Sequence, residues 1–342
     1  MNTQTNRLNI HALEKSTSDT NARRVVLVHG NVSSSAFFAP LMAKLPAHWH
    51  VIAPDLRGYG HTEARPLDGT RGLRDFSDDL WSLLEQTGWT SDVHLVGWSM
   101  GGGVVMQLGL DHPGAVSSLT LIAPVSPYGF GGTHGPDGTP NASDYAGSGG
   151  GTVNADFVKA VAARDQSDGP LSPRGVMKAF YFKPDFKLDP DLENTFLESM
   201  LTTQCGEDHY PGDWQPSPNW PMVAPGTRGV ANAFSPKYMN LGAFSSIHPK
   251  PRVLWVHGAF DQIVSDTSSF DLALLGQLGA VPGWPGAETC PPQPMKTQMR
   301  AVLDAYKHNG GSYTEVVFEN SAHAPHIEEE TKFLELLTRH IG

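Results

Sequence analysis

The chain has 342 residues, 39% apolar and 17% charged, a balance that excludes a disordered chain and suits one α/β domain carrying an insertion. The net charge is −11, and no Lys/Arg cluster supplies the basic face that nucleic acid requires, so nucleic acid is excluded as a partner. Met1 to Ile10 is polar and lacks the apolar stretch of a signal peptide, and no run approaches the ~20 apolar residues of a membrane helix, so the expectation is a cytoplasmic protein with no membrane partner.

Leu8–Leu13 alternates apolar and polar residues and is expected to form the first, edge strand. Val25–Val28 is a short, wholly apolar, β-branched run, the mark of a strand buried on both faces; it ends in His29-Gly30-Asn31. A helix over Ala36–Leu45 follows, with Ser35 as its N-cap. Val51–Ala53 is the next buried strand, and it leads into Pro54-Asp55-Leu56-Arg57-Gly58-Tyr59-Gly60. Leu73–Gln86 has a helical apolar period, Val93–Val96 is a third buried strand, Met100–Leu110 a helix and Leu119–Ala123 a fourth strand. Buried strands alternating with helices imply a mostly parallel central sheet flanked by helices.

The alternation then stops. From about Pro124 to Pro249 the chain is rich in Gly, Pro, Trp and Tyr. Gly129–Gly151 is read as a mobile loop, and Asp156–Ala163, Pro173–Phe182 and Asp191–Leu201 as short helices. The α/β pattern resumes at Val253–Val256 and Tyr313–Phe318 and closes with a helix over about Glu328–His340. The expected organisation is a core of residues 1–124 and 250–342 interrupted by an inserted segment, 125–249, with a smaller insertion near Val281–Pro294.

Gly97-Trp98-Ser99-Met100-Gly101 matches G-x-S-x-G and sits between a predicted strand and a predicted helix, the setting of a nucleophile elbow. A serine capping a Gly-rich helix start is the ordinary alternative. A serine hydroxyl needs a base that is itself oriented. His323 follows the last predicted strand, with His326 as competitor; Asp261 follows Val253–Val256 through a Gly turn, with Asp266 as runner-up. The order Ser99, Asp261, His323 is the one expected for nucleophile, acid and base on such a sheet. The amide after the nucleophile, Met100 N–H, and that of Asn31 in the loop after Val25–Val28 are the candidate oxyanion donors. Val32 is the alternative donor and a candidate substrate contact; the Asn31 side-chain amide is a second group for substrate. Trp98 either packs behind the elbow or lines the pocket and contacts substrate. Cys205 and Cys290 have no C-x-x-C spacing and are expected to be free thiols. No metal motif exists, and Gly129–Gly151 lacks the G-K-[ST] ending of a phosphate loop, so no metal or cofactor is expected.

Leu27-Val28-His29-Gly30, Ala53 to Gly60, the elbow at Ser99, His257 to Asp261 and Ser321-Ala322-His323 together resemble the α/β-hydrolase superfamily. The resemblance is to its capped branch of esterases, lactonases, cofactor-free haloperoxidases and epoxide hydrolases, and covers about residues 25–123 and 251–342. His29 to Ser35 with Phe38-Ala39-Pro40-Leu41 is also similar to some acyl-homoserine-lactone hydrolases. The resemblance implies a cap over the site, grown where the composition breaks, and a small-molecule ester or lactone substrate. Ser99 at the elbow argues against the epoxide hydrolases and haloalkane dehalogenases of this fold, which carry aspartate there. C–C bond hydrolysis and haloperoxidase or perhydrolase chemistry would reuse the same triad, and a ligand receptor would keep the fold without needing it. Glu207, Asp208 and Asp213 are candidate anchors for a substrate amine. Trp214, Trp220, Phe180, Tyr181, Phe182 and Phe234 suggest either an apolar substrate group or a small core of the inserted segment.

Overall fold

The buried β-branched runs become the middle of one eight-stranded sheet in a computed structural model that describes residues 1–342. In chain order the strands are β1 (Asn2–Gln4), β2 (Asn9–Lys15), β3 (Arg23–Val28), β4 (Trp49–Pro54), β5 (Val93–Trp98), β6 (Val116–Ile122), β7 (Arg252–Gly258) and β8 (Tyr313–Phe318). Their spatial order is β1-β2-β4-β3-β5-β6-β7-β8. β2 pairs antiparallel with β1 and β4, and all other pairs are parallel. The edge strand is thus Asn2–Gln4, too short to show alternation, and the expected first strand lies one place inward.

From β3 the chain steps first to β4 and then to β5 on the other side. The loops after β3 and β5 therefore diverge, which opens a crevice at their carboxyl ends. Register brings the neighbouring ends level with it: Val28 lies opposite Gly97, Trp98 opposite Ile122, Ile122 opposite Val256, and Gly258 opposite Phe318. Residues 29–31, 99, 259–261 and 319–323 consequently leave the sheet along one edge.

The main helices are α1 (Ala39–Lys44), α2 (Arg74–Thr87), α3 (Met100–Asp111), α4 (Ala155–Ala162), α5 (Pro190–Met200), α6 (Met295–His308) and α7 (Glu330–Ile341). The first predicted helix begins as a 3-10 turn, Ser35–Phe38. Its cap is Ser34 rather than Ser35: the Ser34 hydroxyl accepts from Ala36 N–H. The Ser35 N–H instead donates to Asp55 Oδ1 at 2.8 Å. α2 ends in Gly88 at φ 71°, where a left-handed residue closes the last turn.

Between β6 and β7 the chain makes α4, α5, a helical turn Pro173–Val176 that runs into a π-helical turn Met177–Tyr181, and short two-stranded ladders. Gly129–Gly151, expected to be mobile, is buried at both ends and tied down there. Its glycines permit close backbone contact; a Cβ on Gly131 would come within 2.4 Å of the Gly147 carbonyl oxygen. Gln293 holds the segment from the other side, accepting from Gly131 N–H at 2.6 Å and donating to Gly129 O at 3.0 Å. Phe196 of α5 stacks on Phe37 with ring centroids 4.2 Å apart, so the inserted segment joins the same apolar core as the sheet. No helix is long and apolar enough to cross a membrane. Cys205 and Cys290 are both unpaired.

Candidate active site

β5 ends at Trp98 and α3 begins at Met100, leaving one residue for the turn. That residue, Ser99, has φ 56° and ψ −120°, a conformation strained for any side chain with a Cβ. The surroundings enforce it. Ser99 N–H donates to Ile122 O at 2.9 Å, while Ser99 O accepts from Gly102 N–H at 2.9 Å and Val125 N–H at 3.0 Å. The turn tolerates no side chain at Gly101, where a Cβ would lie 2.2 Å from the Val28 carbonyl oxygen. The Ser99 side chain caps no helix amide and is partly exposed, so the plain capping role does not apply.

The loop after β3 lies against this turn; a Cβ on Gly30 would be 2.9 Å from Ser99 Cβ. His29 Nε2 accepts from Leu56 N–H at 2.9 Å, so the ring proton is on Nδ1, which donates to Gly30 O at 2.8 Å. Burial pushes the His29 pKa down to about 4, against the charge of Asp55 and the Gly30 carbonyl, and keeps the ring neutral. Ser33 Oγ donates to the same carbonyl at 2.9 Å. In a trans peptide the next N–H points the opposite way, so these two bonds aim Asn31 N–H away from His29 and Ser33. Asn31 N–H donates to nothing in the protein. Met100, as the first residue of α3, has no intrahelical acceptor for its own N–H. Two unspent amides thus adjoin Ser99.

Other expected substrate groups are already engaged. Asn31 Oδ1 accepts from the Tyr59 hydroxyl at 2.6 Å, which fixes the orientation of the side-chain amide. Val32, at φ 46°, is buried within the apolar core, and its carbonyl accepts from Tyr181 Oη at 3.2 Å. Trp98 is only 1% exposed and packs behind the elbow, its indole N–H donating to His323 O at 2.7 Å. Glu207, Asp208 and Asp213 are paired with Arg228, at 2.6, 2.7 and 3.5 Å, which spends the candidate amine anchors.

His323 and Asp261 meet, both buried, with Nδ1 3.0 Å from Asp261 Oδ2. Asp261 Oδ1 accepts from Ile263 N–H at 2.9 Å and Val264 N–H at 3.0 Å, which fixes the carboxylate plane. Burial raises the Asp261 pKa, but His323, Lys296 and the Val264 amide outweigh it, and the carboxyl ends below its ordinary value. The ring bonded through Nδ1 leaves Nε2 as the nitrogen for chemistry. The Ser99 hydroxyl is not hydrogen-bonded to it; the two residues are linked through Trp98, whose ring centroid is 5.6 Å from that of His323.

The competitors are placed elsewhere. Asp266 caps α6, its Oδ1 accepting from Lys296 N–H at 2.8 Å and Thr297 N–H at 3.0 Å. His326 is buried among Phe38, Trp98 and Phe333 with neither ring nitrogen hydrogen-bonded. Burial, with the charge of His323, pushes its pKa down to about 3.

Three supporting residues escaped the sequence reading. Tyr181 donates to Asn31 O at 3.3 Å as well as to Val32 O. Lys296 Nζ donates at 3.0 Å to Gly258 O, the carbonyl that also receives Asp261 N–H at 3.4 Å. Glu328 accepts from Ala322 N–H at 2.7 Å, beside His323. Tyr181 and Lys296 act on main-chain atoms distant in sequence and Glu328 on an amide six residues before it, and no local pattern marks such roles.

The family model described as alpha/beta hydrolase fold matches residues 23–277. Among curated proteins, the chain is 42% identical over 99 residues to the "Putative carbamate hydrolase RutD" of Variovorax paradoxus, covering 29% of this chain and 36% of that protein. It is 34% identical over 102 residues to the pimeloyl-[acyl-carrier protein] methyl ester esterase of Neisseria meningitidis, covering 30% of this chain and 36% of the esterase. The chain thus matches little more than a third of the length of these relatives. Among solved structures it superposes on an esterase from Exiguobacterium antarcticum with a TM-score of 0.59 at 18% identity, covering 99% of this chain and 98% of the other. The enol-lactonase of Burkholderia xenovorans gives 0.59 at 15% identity, with 100% and 99% covered. At such identities the superpositions speak for the fold. With its strand order, its elbow and a family match over most of its length, the chain belongs to the alpha/beta hydrolase fold family.

Proposed function

We propose that this protein is a serine hydrolase that cleaves a carboxylic ester or lactone through an acyl-enzyme. The observation that carries the reading is a strained, partly exposed Ser99 on the same sheet edge as a buried His323–Asp261 pair. In this reading Ser99 Oγ attacks the carbonyl carbon while His323 Nε2 takes its proton. Asp261, held ionised, keeps the ring proton on Nδ1 and stabilises the imidazolium. The tetrahedral oxyanion forms beside Met100 N–H and Asn31 N–H, and losing one such donor costs about 3 kcal/mol in the barrier. His323 returns the proton to the departing alcohol and then activates the water that clears the acyl group. Residues 125–249 act as the cap: Tyr181 and Phe196 lie on the loop after β3, so this segment shapes what reaches Ser99.

The esterase, lactonase and carbamate hydrolase names of the relatives agree with attack on an acyl carbon and leave the leaving group open. The test is a panel of short- to medium-chain p-nitrophenyl esters with an acyl-homoserine lactone beside it, given to the native protein and to Ser99→Ala. Turnover that disappears in the variant supports the reading. Labelling of Ser99 by a fluorophosphonate without turnover keeps the chemistry and moves the substrate elsewhere. Neither turnover nor labelling favours a receptor on the hydrolase fold.

A further inference from the structure

Four consecutive residues of the inserted segment, Phe180–Lys183, touch every loop of the candidate site. The Tyr181 hydroxyl holds Asn31 O and Val32 O, and its ring centroid lies 6.1 Å from that of His323 and 5.6 Å from that of Trp98. Phe180 packs edge-on against Phe270 at 4.9 Å, and the Lys183 ammonium lies 5.5 Å from the ring of Phe260, the neighbour of Asp261. Lys183 N–H donates to Glu328 Oε1 at 2.5 Å, while Glu328 Oε2 accepts from Ala322 N–H at 2.7 Å. One carboxylate therefore joins the backbone of the inserted segment to the residue that precedes His323.

We propose that Glu328 is a positioning residue for His323, clamping the imidazole loop to the 180–183 segment and so setting where Nε2 stands relative to Ser99. The proposal rests on the hydrolase reading above. A carboxylate suits this place because both partners are N–H donors and an ionised carboxyl only accepts. An amide must turn its NH2 toward one of those N–H groups and leave it unpaired, and a protonated acid keeps a strong acceptor at only one of its two oxygens. Other charges near the clamp are engaged elsewhere. Glu329 accepts from Asn320 N–H and Ser321 Oγ and pairs with Lys332; Glu330 pairs with Lys44; Lys183 Nζ faces Phe260. His323 is the charged group that bears on Glu328. Burial lifts the Glu328 pKa to about 7, against the Lys183, Ala322 and Ala324 amides and His323, so the clamp titrates in the range where a histidine base works.

Activity at the acidic end of the profile then depends on the Glu328 carboxyl as well as on the base. The experiment compares the native chain with Glu328→Gln and Lys183→Pro on a p-nitrophenyl ester, with fluorophosphonate labelling of Ser99 and a thermal melt for each. The proline removes the donor on the segment side together with the ammonium over Phe260, a loss that Lys183→Ala measures by itself, and Phe182 before it is already extended at φ −120° and ψ 154°, as a residue preceding proline must be. The expected result for E328Q is a cooperative melt, retained labelling, KM nearly unchanged and kcat lower by about tenfold. At alkaline pH the native log(kcat/KM) lies about one unit above that of E328Q, and the two profiles converge as the pH falls through the Glu328 titration near 7. K183P lowers kcat similarly, and the double variant is no slower than E328Q. A folded, labelled E328Q with native kcat overturns the proposal. So does one that is slower by the same factor at every pH, because a purely structural role would do that. If E328Q fails to fold, K183P decides, and native kcat in that variant overturns the clamp. A native protein that neither labels nor turns over fails the hydrolase reading instead.

Discussion

At Asp261 one oxygen is committed to two backbone amides and the other to His323, and this asymmetry decides what asparagine would do there. The amide oxygen of an asparagine must face Ile263 N–H and Val264 N–H. Its NH2 then faces His323 Nδ1, which becomes an acceptor and drives the ring proton to Nε2, the wrong nitrogen for a base. Asp261→Asn is expected to fold normally and lose about 10⁴-fold in kcat, measured by steady-state ester hydrolysis beside a melting curve. Gly30 offers a finer probe. A methyl group there would sit 2.9 Å from Ser99 Cβ and 3.3 Å from Trp98 O, so the nucleophile or the loop must shift. Gly30→Ala should lower kcat by about 10²-fold while the protein still folds, since small misplacements at a reacting centre are costly. Tyr181→Phe removes the hydroxyl from two carbonyls of the β3 loop. It should cost about 1 kcal/mol in urea unfolding and slow acylation more than it weakens binding.

Among elements, the strand–turn–helix of β5 and α3 was legible because its constraints are local: a β-branched run, one residue for the turn, and glycines wherever backbones touch. Gly101→Ala drives a Cβ into the Val28 and His29 carbonyl oxygens, at 2.2 and 2.4 Å. The expected outcome is a loss of at least about 2 kcal/mol, seen as a lower urea midpoint with an unchanged m-value. Gly129–Gly151 was misread for the opposite reason. Glycine content signals a backbone free of Cβ constraints, and that freedom serves a loose loop and a tightly packed one equally. Only contacts with Gln293 and Gly147, far along the chain or folded back on it, select the packed form. The displaced cap at the start of the first helix has a similar origin: two adjacent serines compete, and Asp55 on another strand end takes the amide of the second.

Across the whole molecule, buried histidines govern the response to acid. His29 and His326 are both held neutral by burial, with pKa values pushed down to about 4 and about 3. Unfolding restores the ordinary value of about 6.5, so between that pH and about 4 the unfolded chain binds more protons. Stability is therefore complete above about pH 6.5 and declines as the pH falls through that window. His326 lies among aromatic rings with no polar partner, so His326→Phe should keep or raise stability at pH 7.5 and flatten the decline toward pH 5, read from urea midpoints at the two pH values. The loop after β4 is anchored by ions. Arg57, 7% exposed, donates to both oxygens of Asp79 at 2.6 and 2.8 Å and to Asp75 Oδ2 at 3.3 Å. Arg57→Ala takes the bidentate partner from Asp79 and leaves it to Arg7, while Asp75 keeps Arg71 and Arg7, and it should destabilise by about 1.5–3 kcal/mol in the same assay.

The amino-acid sequence by itself determined the sheet, the elbow and the order of Ser99, Asp261 and His323 along it. Each of these is written in short-range patterns: strand runs apolar on both faces, Gly turns at strand ends, and a serine where one residue separates strand from helix. The tertiary structure alone decided that the Trp98 indole is buried against the His323 carbonyl, that Tyr59 orients the Asn31 amide, and that Tyr181 and Glu328 bind the inserted segment to the site. Those roles arise from hydrogen bonds between residues tens to hundreds of positions apart, and such pairings exist only once the sheet has brought its loops to a common edge.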